Sequence, residues 1–284
     1  MRKLSSKLSD YYPNSFTSAL AIVELIGGLK RDFHIRKKVI ENLFKSNLEI
    51  QWKLPHNIIA DSFTLLAFEE QRISDLKKLC KVLIYSHTLT DFERNCTVDN
   101  VHFDLGYFEN YKNFFSDHFI KSTVEGNRKI QGIFNERKER DFQNITVRYA
   151  LNKKPTLEIL QKEDITLNRS MTVFAFARLF AELMHNGQAT EKQESEIYDS
   201  YTGLVSYFIE AFSFYTVDKM IQGSQPSRND LNDLYHLVYL RNDTSVQLLT
   251  DDKLLLNINE KLWKDRNHIK AITTNPTGNC SLPN

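Results

Sequence analysis

The chain has 284 residues, 41% hydrophobic and 26% charged, and a formal net charge of +1. This length can bury a sizeable core as one elaborated domain or two small ones, and the balance is that of a folded soluble chain. No apolar run approaches the roughly 18 residues of a membrane span, and the start MRKLSSKLSDYYPNSF has no apolar stretch of a secretory signal, so a cytoplasmic protein without a membrane partner is expected.

Phe16–Ile26 (FTSALAIVELI) is apolar with small residues and runs into Gly27-Gly28, which predicts a short helix closed by a glycine cap. Phe33–Phe44 has apolar residues close to helical period, and Leu48–Leu54 alternates around Ile50 and Trp52 as a short strand does. Ile58–Phe68 and Ile73–Ile84 read as helices. Val101–Ile120 carries seven Phe and Tyr residues at helical spacing, a pattern that fits core packing better than base stacking. Thr172–Leu183 and Tyr201–Met220 read as buried helices, whereas Gly126–Arg140 and Ala189–Ser195 read as loops or exposed helix. After Gly223–Ser227 the pattern changes. Asp230–Leu240 predicts a helix capped by Asn229 or Asp230, Arg241–Thr244 a turn, and Val246–Thr250 (VQLLT) a short buried strand that ends at Asp251-Asp252.

Charge and cysteine usage narrow the function classes. Residues 1–53 carry ten Lys/Arg against five Asp/Glu, and residues 121–154 carry nine against four, so the remainder is strongly acidic. Basic segments around an acidic centre suit an enzyme that grips phosphates and holds divalent cations, although surface charge also fluctuates without function. Cys80, Cys96 and Cys280 show no paired metal spacing and read as reduced thiols. The eight histidines form no HExxH pair, and no Walker A, GxGxxG or GxSxG sequence is present.

The carboxylates are the candidates for chemistry. A strand that closes on two aspartates places Asp251 and Asp252 at the C-terminal edge of a sheet, where open α/β folds bind ligands; a plain turn after a strand also uses Asp. Asp233 sits among Leu231, Leu234, Leu237 and Val238, where a carboxylate needs water, a partner or a cation. Glu24 is the one charge between Phe16 and Gly28.

The stretch NDLYHLVYLRNDTSVQLLTDDKLL resembles the later half of a PIN-type nuclease site: an acidic helix start, a turn, a buried strand, then Thr-x-Asp. SALAIVELIGG, followed by the basic helix around Arg36–Lys38 and EIQWKLP, resembles the PIN segment that carries its second acid. The resemblance implies an α/β fold with a PIN-like small parallel sheet flanked by helices and a large, mainly α-helical insertion. Residues 1–60 and 224–284 would form a discontinuous PIN-like core and residues 61–223 the insertion. It further implies Glu24, Asp233 and Asp252 as catalytic metal ligands with Asp251 or Asp230 in support, and Mg²⁺ or Mn²⁺ as the cofactor. RNA is the implied substrate, with Arg128, Lys129, Arg137 and Lys138 on its backbone. A toxin or defence effector with a protein partner or antitoxin is the implied setting. The family's usual first strand, ending in aspartate, has no counterpart in MRKLSSKLSDYYPNSF, which implies a longer reading frame or a strand that is absent. A competing alignment takes Asp61 and Glu93 as the first two acids, each after a short apolar run. A PIN-like scaffold without catalysis and an all-helical interaction protein are the alternatives.

Overall fold

The computed structural model describes residues 15–46, 48–65, 71–98, 154–221, 226–264 and 268–271. The chain divides into two compact units: residues 1–60, 67–114 and 272–284 in the first, residues 61–66 and 115–271 in the second. The architecture is mixed α/β, mostly helical, with two small parallel sheets. No described helix is long and apolar enough to cross a membrane.

In the first unit, β1 (Phe16–Ser18) leads directly into α1 (Ala19–Ile26), and α2 (Leu29–Lys45) returns the chain to β2 (Glu49–Gln51). The strands are parallel, with Phe16 opposite Glu49 and Ser18 opposite Gln51. Parallel partners cannot be joined by a tight turn, so the two helices are the crossover. Ser18 ends the strand and starts the helix: its hydroxyl accepts from Ala21 N–H at 3.2 Å. The expected helix over Phe16–Ile26 is therefore a strand and a shorter helix, because Ser18 splits one apolar run that periodicity alone leaves continuous.

At the far end of α1, Gly27 N–H donates to Val23 O at 2.8 Å. The Arg36 guanidinium reaches back and donates to Glu24 O at 2.9 Å. A Cβ on Gly28 would stand 2.0 Å from Arg36 Cζ, so the arginine occupies the space that glycine leaves. The turns between the two helices thus satisfy carbonyls that a helix end leaves orphaned.

Among the described residues, three further helices follow: α3 (Pro55–Asp61), which runs to the boundary of this unit, α4 (Gln71–Tyr85) and α5 (Leu89–Val98). Lys37 Nζ donates to Ser86 O at 2.5 Å, tying α2 to the end of α4. The apolar runs before Asp61 and Glu93 are helical rather than strands: Asp61 is the last residue of α3, and Glu93 lies within α5. The competing alignment therefore lacks the strand ends that it needs, since Ile58, Ile59 and Leu83 are buried on helix faces.

The second unit is built on α6 (Lys154–Met184) and α8 (Ser206–Ile221), which pack together, with α7 (Glu191–Asp199) against α6. Phe208 is its hub, with ring centroids 5.9 Å from Phe176, 5.7 Å from Phe212 and 5.3 Å from Tyr235. The polar stretch Ala189–Ser195 is largely helix, opened by a capping box in which Thr190 and Gln193 exchange hydrogen bonds. The unit continues with α9 (Arg228–Leu234), a 3₁₀ helix (Tyr235–Leu240), β3 (Leu248–Thr250), α10 (Lys253–Leu262) and β4 (Ile269–Ala271). The N-cap of α9 is Ser227, not Asn229 or Asp230, because its hydroxyl accepts from Asp230 N–H at 3.0 Å. The aromatic stretch Val101–Ile120 and the segment Gly126–Arg140 lie outside the described residues.

Cys80 and Cys96 are buried thiols. Burial pushes Cys80 up to about 12, and burial with the charge of Glu93 pushes Cys96 up to about 11. A raised thiol pKa favours the neutral folded form, so its stabilisation is complete below the unfolded value and is lost as pH rises toward the folded one. A Cys280→Ser variant is expected to leave both remaining thiols unreactive toward a thiol reagent at pH 8 until urea is added. Its unfolding free energy should fall from about pH 9 upward. Stoichiometric labelling of the folded protein at pH 8 would contradict this burial.

Candidate functional site

The candidate site begins where β3 ends. β3 and β4 are parallel, with Leu248 opposite Ile269 and Thr250 opposite Ala271, and α10 is their crossover. Of the run VQLLT, expected as a short buried strand, only Leu248–Thr250 is strand, and its residues are half-buried rather than buried. The preceding turn has Arg241 and Asn242 at φ 46° and 54°, and Asp243 Oδ1 accepts from both the backbone and the hydroxyl of Ser245. These bonds hold the Asp243 carboxyl below the usual carboxylate range.

Past the strand, Thr250 Oγ1 accepts from Asp252 N–H at 3.0 Å, and Asp252 Oδ1 accepts from Leu255 N–H at 2.9 Å. The Thr-x-Asp sequence is therefore a turn whose two side chains start a helix. Asp251 projects at its exposed outer corner, and Asp252 is half-buried. Both stand at the C-terminal edge of the parallel pair, as the sequence leads one to expect.

Trp263, at the end of α10, is 1% exposed and anchors this βαβ unit to the helical core. Its indole N–H donates to Glu210 Oε2 at 3.1 Å, while Arg169 donates to the other oxygen of the same carboxylate. Tyr207 and His268 pack on its ring, with centroids at 5.7 and 5.6 Å. Asn259 Oδ1 accepts from Ile269 N–H at 3.1 Å and so fixes the start of β4 from within α10.

Asp233 is half-buried on α9, and α9 packs against both α8 and α10. The helix that carries Asp233 is thus a neighbour of the helix that Asp252 caps. Asp230, one turn earlier, accepts from the Tyr215 hydroxyl at 2.5 Å and lies 3.8 Å from Lys219 Nζ. Tyr215 also accepts from Ser227 N–H at 3.0 Å. Burial, with the Asp230 carboxylate beside it, pushes the Tyr215 phenol well above its ordinary value. This network clamps the start of α9 to α8, a structural duty for Asp230 that its neighbour Ser227 signals through the Ser-x-x-Asp spacing.

Glu24 is half-buried on α1 and belongs to the first unit, whereas Asp233, Asp251 and Asp252 belong to the second. Its helix is the crossover of the other parallel pair. Arg128, Lys129, Arg137 and Lys138 lie outside the described residues. Among the described residues, no group of three or more His, Cys, Asp or Glu side chains is placed to hold a metal ion. Comparisons with protein-family models, with curated proteins and with solved structures give no match.

The cap geometry gives a clean separation of roles at Asp252. Replacement by Ala removes the acceptor for Leu255 N–H and is expected to cost about 1 kcal/mol, whereas Asn keeps an acceptor and costs a few tenths at most. Urea unfolding of the two variants measures the difference; equal losses would show that the cap does not hold the start of α10.

Proposed function

We propose that this protein is a PIN-like, metal-dependent endoribonuclease that hydrolyses RNA phosphodiester bonds, of the kind used as a toxin or defence effector. The observation that carries the reading is the placement of Thr250-Asp251-Asp252. Two carboxylates stand at the C-terminal edge of a parallel strand inside a βαβ unit, beside the packed helix that bears Asp233. Glu24, the second acid that the resemblance implies, lies on the crossover helix of the first unit, and the reading does not rest on it.

The acids of the second unit fit a hard cation in kind. Asp233, Asp251 and Asp252 offer carboxylate oxygens only, the ligands that Mg²⁺ and Mn²⁺ prefer. A bound ion would supply Lewis-acid polarisation of a phosphodiester and a water of lowered pKa. The protein's own contribution is preorganisation. Thr250 and the helix cap fix the Asp252 backbone, Trp263 fixes the end of α10, and the Tyr215–Asp230 bond fixes the start of α9.

A non-catalytic PIN-like scaffold that binds RNA or a protein partner is the second reading. One observation favours it: the oxygen Oδ1 of Asp252 is already engaged in capping α10.

The deciding assay is Mn²⁺-dependent cleavage of single-stranded RNA by the full chain. The nuclease reading expects turnover that chelation abolishes and that Asp233→Asn and Asp252→Asn each lower at least about 100-fold. Circular dichroism of both variants checks that the fold is kept; Asp252→Asn retains the cap acceptor. Cleavage at the wild-type rate in both variants would sink the assignment of these residues. Absence of cleavage by the folded wild type under all metal conditions would favour the scaffold.

A further inference from the structure

On the first unit, α2 and α4 pack against each other and together carry ten Lys/Arg against three Asp/Glu. Several of these cations have internal duties: Arg36 holds the end of α1, and Lys37 bonds Ser86 O and lies 3.5 Å from Glu41. The exposed lysines of α4 have a different setting. Lys77, Lys78 and Lys81 are exposed, and their spacings of three and four residues put them on one face of the helix. Leu76, Leu79, Cys80 and Leu83 are buried on the opposite face. Like charges one turn apart repel, and among the described residues Lys78 and Lys81 make no ion pair.

Aromatic rings accompany this stripe. Lys77 Nζ lies 5.3 Å from the centroid of the Trp52 ring, and Phe44 of α2 meets the same indole edge-on at 6.0 Å. One turn beyond Lys81, Tyr85 continues the stripe and is 79% exposed. From Lys77 to Tyr85 the helix rises about 12 Å. A run of unneutralised cations flanked by accessible rings is the chemistry that takes a single-stranded polynucleotide, with phosphates on the cations and bases stacked on the rings. A lipid surface would want an apolar face beneath the lysines, and here that face is already buried in the protein core.

We propose that Trp52, Phe44 and the Lys77–Lys78–Lys81–Tyr85 face of α4 form a binding track for single-stranded RNA. The choice of RNA over DNA rests on the nuclease reading, whereas the track itself rests on charge, the exposed rings of Phe44 and Tyr85 and the half-buried ring of Trp52.

The test is binding of a fluorescently labelled oligouridine to the full chain in EDTA, where metal-dependent cleavage cannot interfere. Lys78→Glu/Lys81→Glu is expected to weaken binding at least tenfold and to lower the slope of log affinity against log salt by about 1.4. The matched control Lys192→Glu/Lys264→Glu, on the exposed surface of the second unit, should stay within twofold. Tyr85→Ala should weaken binding at least about fivefold, while Tyr85→Phe, which keeps the stacking face, should match wild type. Equal weakening by both double variants, or no RNA binding by the wild type, would overturn the track. So would residue-dependent binding to phosphatidylserine vesicles without binding to RNA. Outcomes for the nuclease reading remain separate: binding that follows this pattern without Mn²⁺-dependent cleavage removes the enzyme and leaves the track. Cleavage with binding indifferent to these residues does the reverse.

Discussion

Parallel strand pairing is the constraint from which both units take their form. Two parallel strands must be joined by a crossover long enough to carry the chain back, and in each pair here the crossover is helical. A two-stranded sheet has little stability of its own, so each pair depends on the helices that its connection brings along. The same constraint aligns the strands' C-terminal ends and starts a helix beside them. In the second unit that places Thr250, Asp251 and Asp252 together at one edge.

What makes this edge firm is its attachment to the helical core. Glu210 accepts from Trp263 and from Arg169, so one carboxylate joins α6, α8 and the end of α10. Removing one partner of such a network leaves another polar group without its bond, which costs more than the bond itself contributes. The result is a rigid platform under an exposed acidic corner. A capped helix needs such support, and the proposed cation site would need it too.

Much of this was legible in the sequence where the signals were chemically distinct. The end of the strand was legible and its start and burial were not: β3 is Leu248–Thr250, half-buried, and Asp251-Asp252 follow it. The parallel pairs exclude the all-helical reading. Other features were hidden for identifiable reasons. β1 merges into α1 within one apolar run, and a single serine, Ser18, divides them. The runs before Asp61 and Glu93 are short and apolar, a pattern that cannot separate a strand from a buried helix end. Ser227 and Thr190 were readable as caps from Ser-x-x-Asp and Thr-x-x-Gln. Long-range contacts such as Arg36 with the end of α1, or Trp263 with Glu210, leave no local trace. The lysines of α4 carry no sequence signal of their own, because a charged helix face looks alike whether it is idle or used.

The central claim is that the acidic edge after β3 binds a divalent cation. Isothermal titration calorimetry of Mn²⁺ into the wild-type chain and into an Asp251→Asn/Asp252→Asn variant tests it without RNA. The account predicts saturable binding to the wild type that is lost in the variant, with the fold intact by circular dichroism because Asn still caps α10. Binding of equal affinity and stoichiometry in both proteins, or none in the folded wild type, would contradict it.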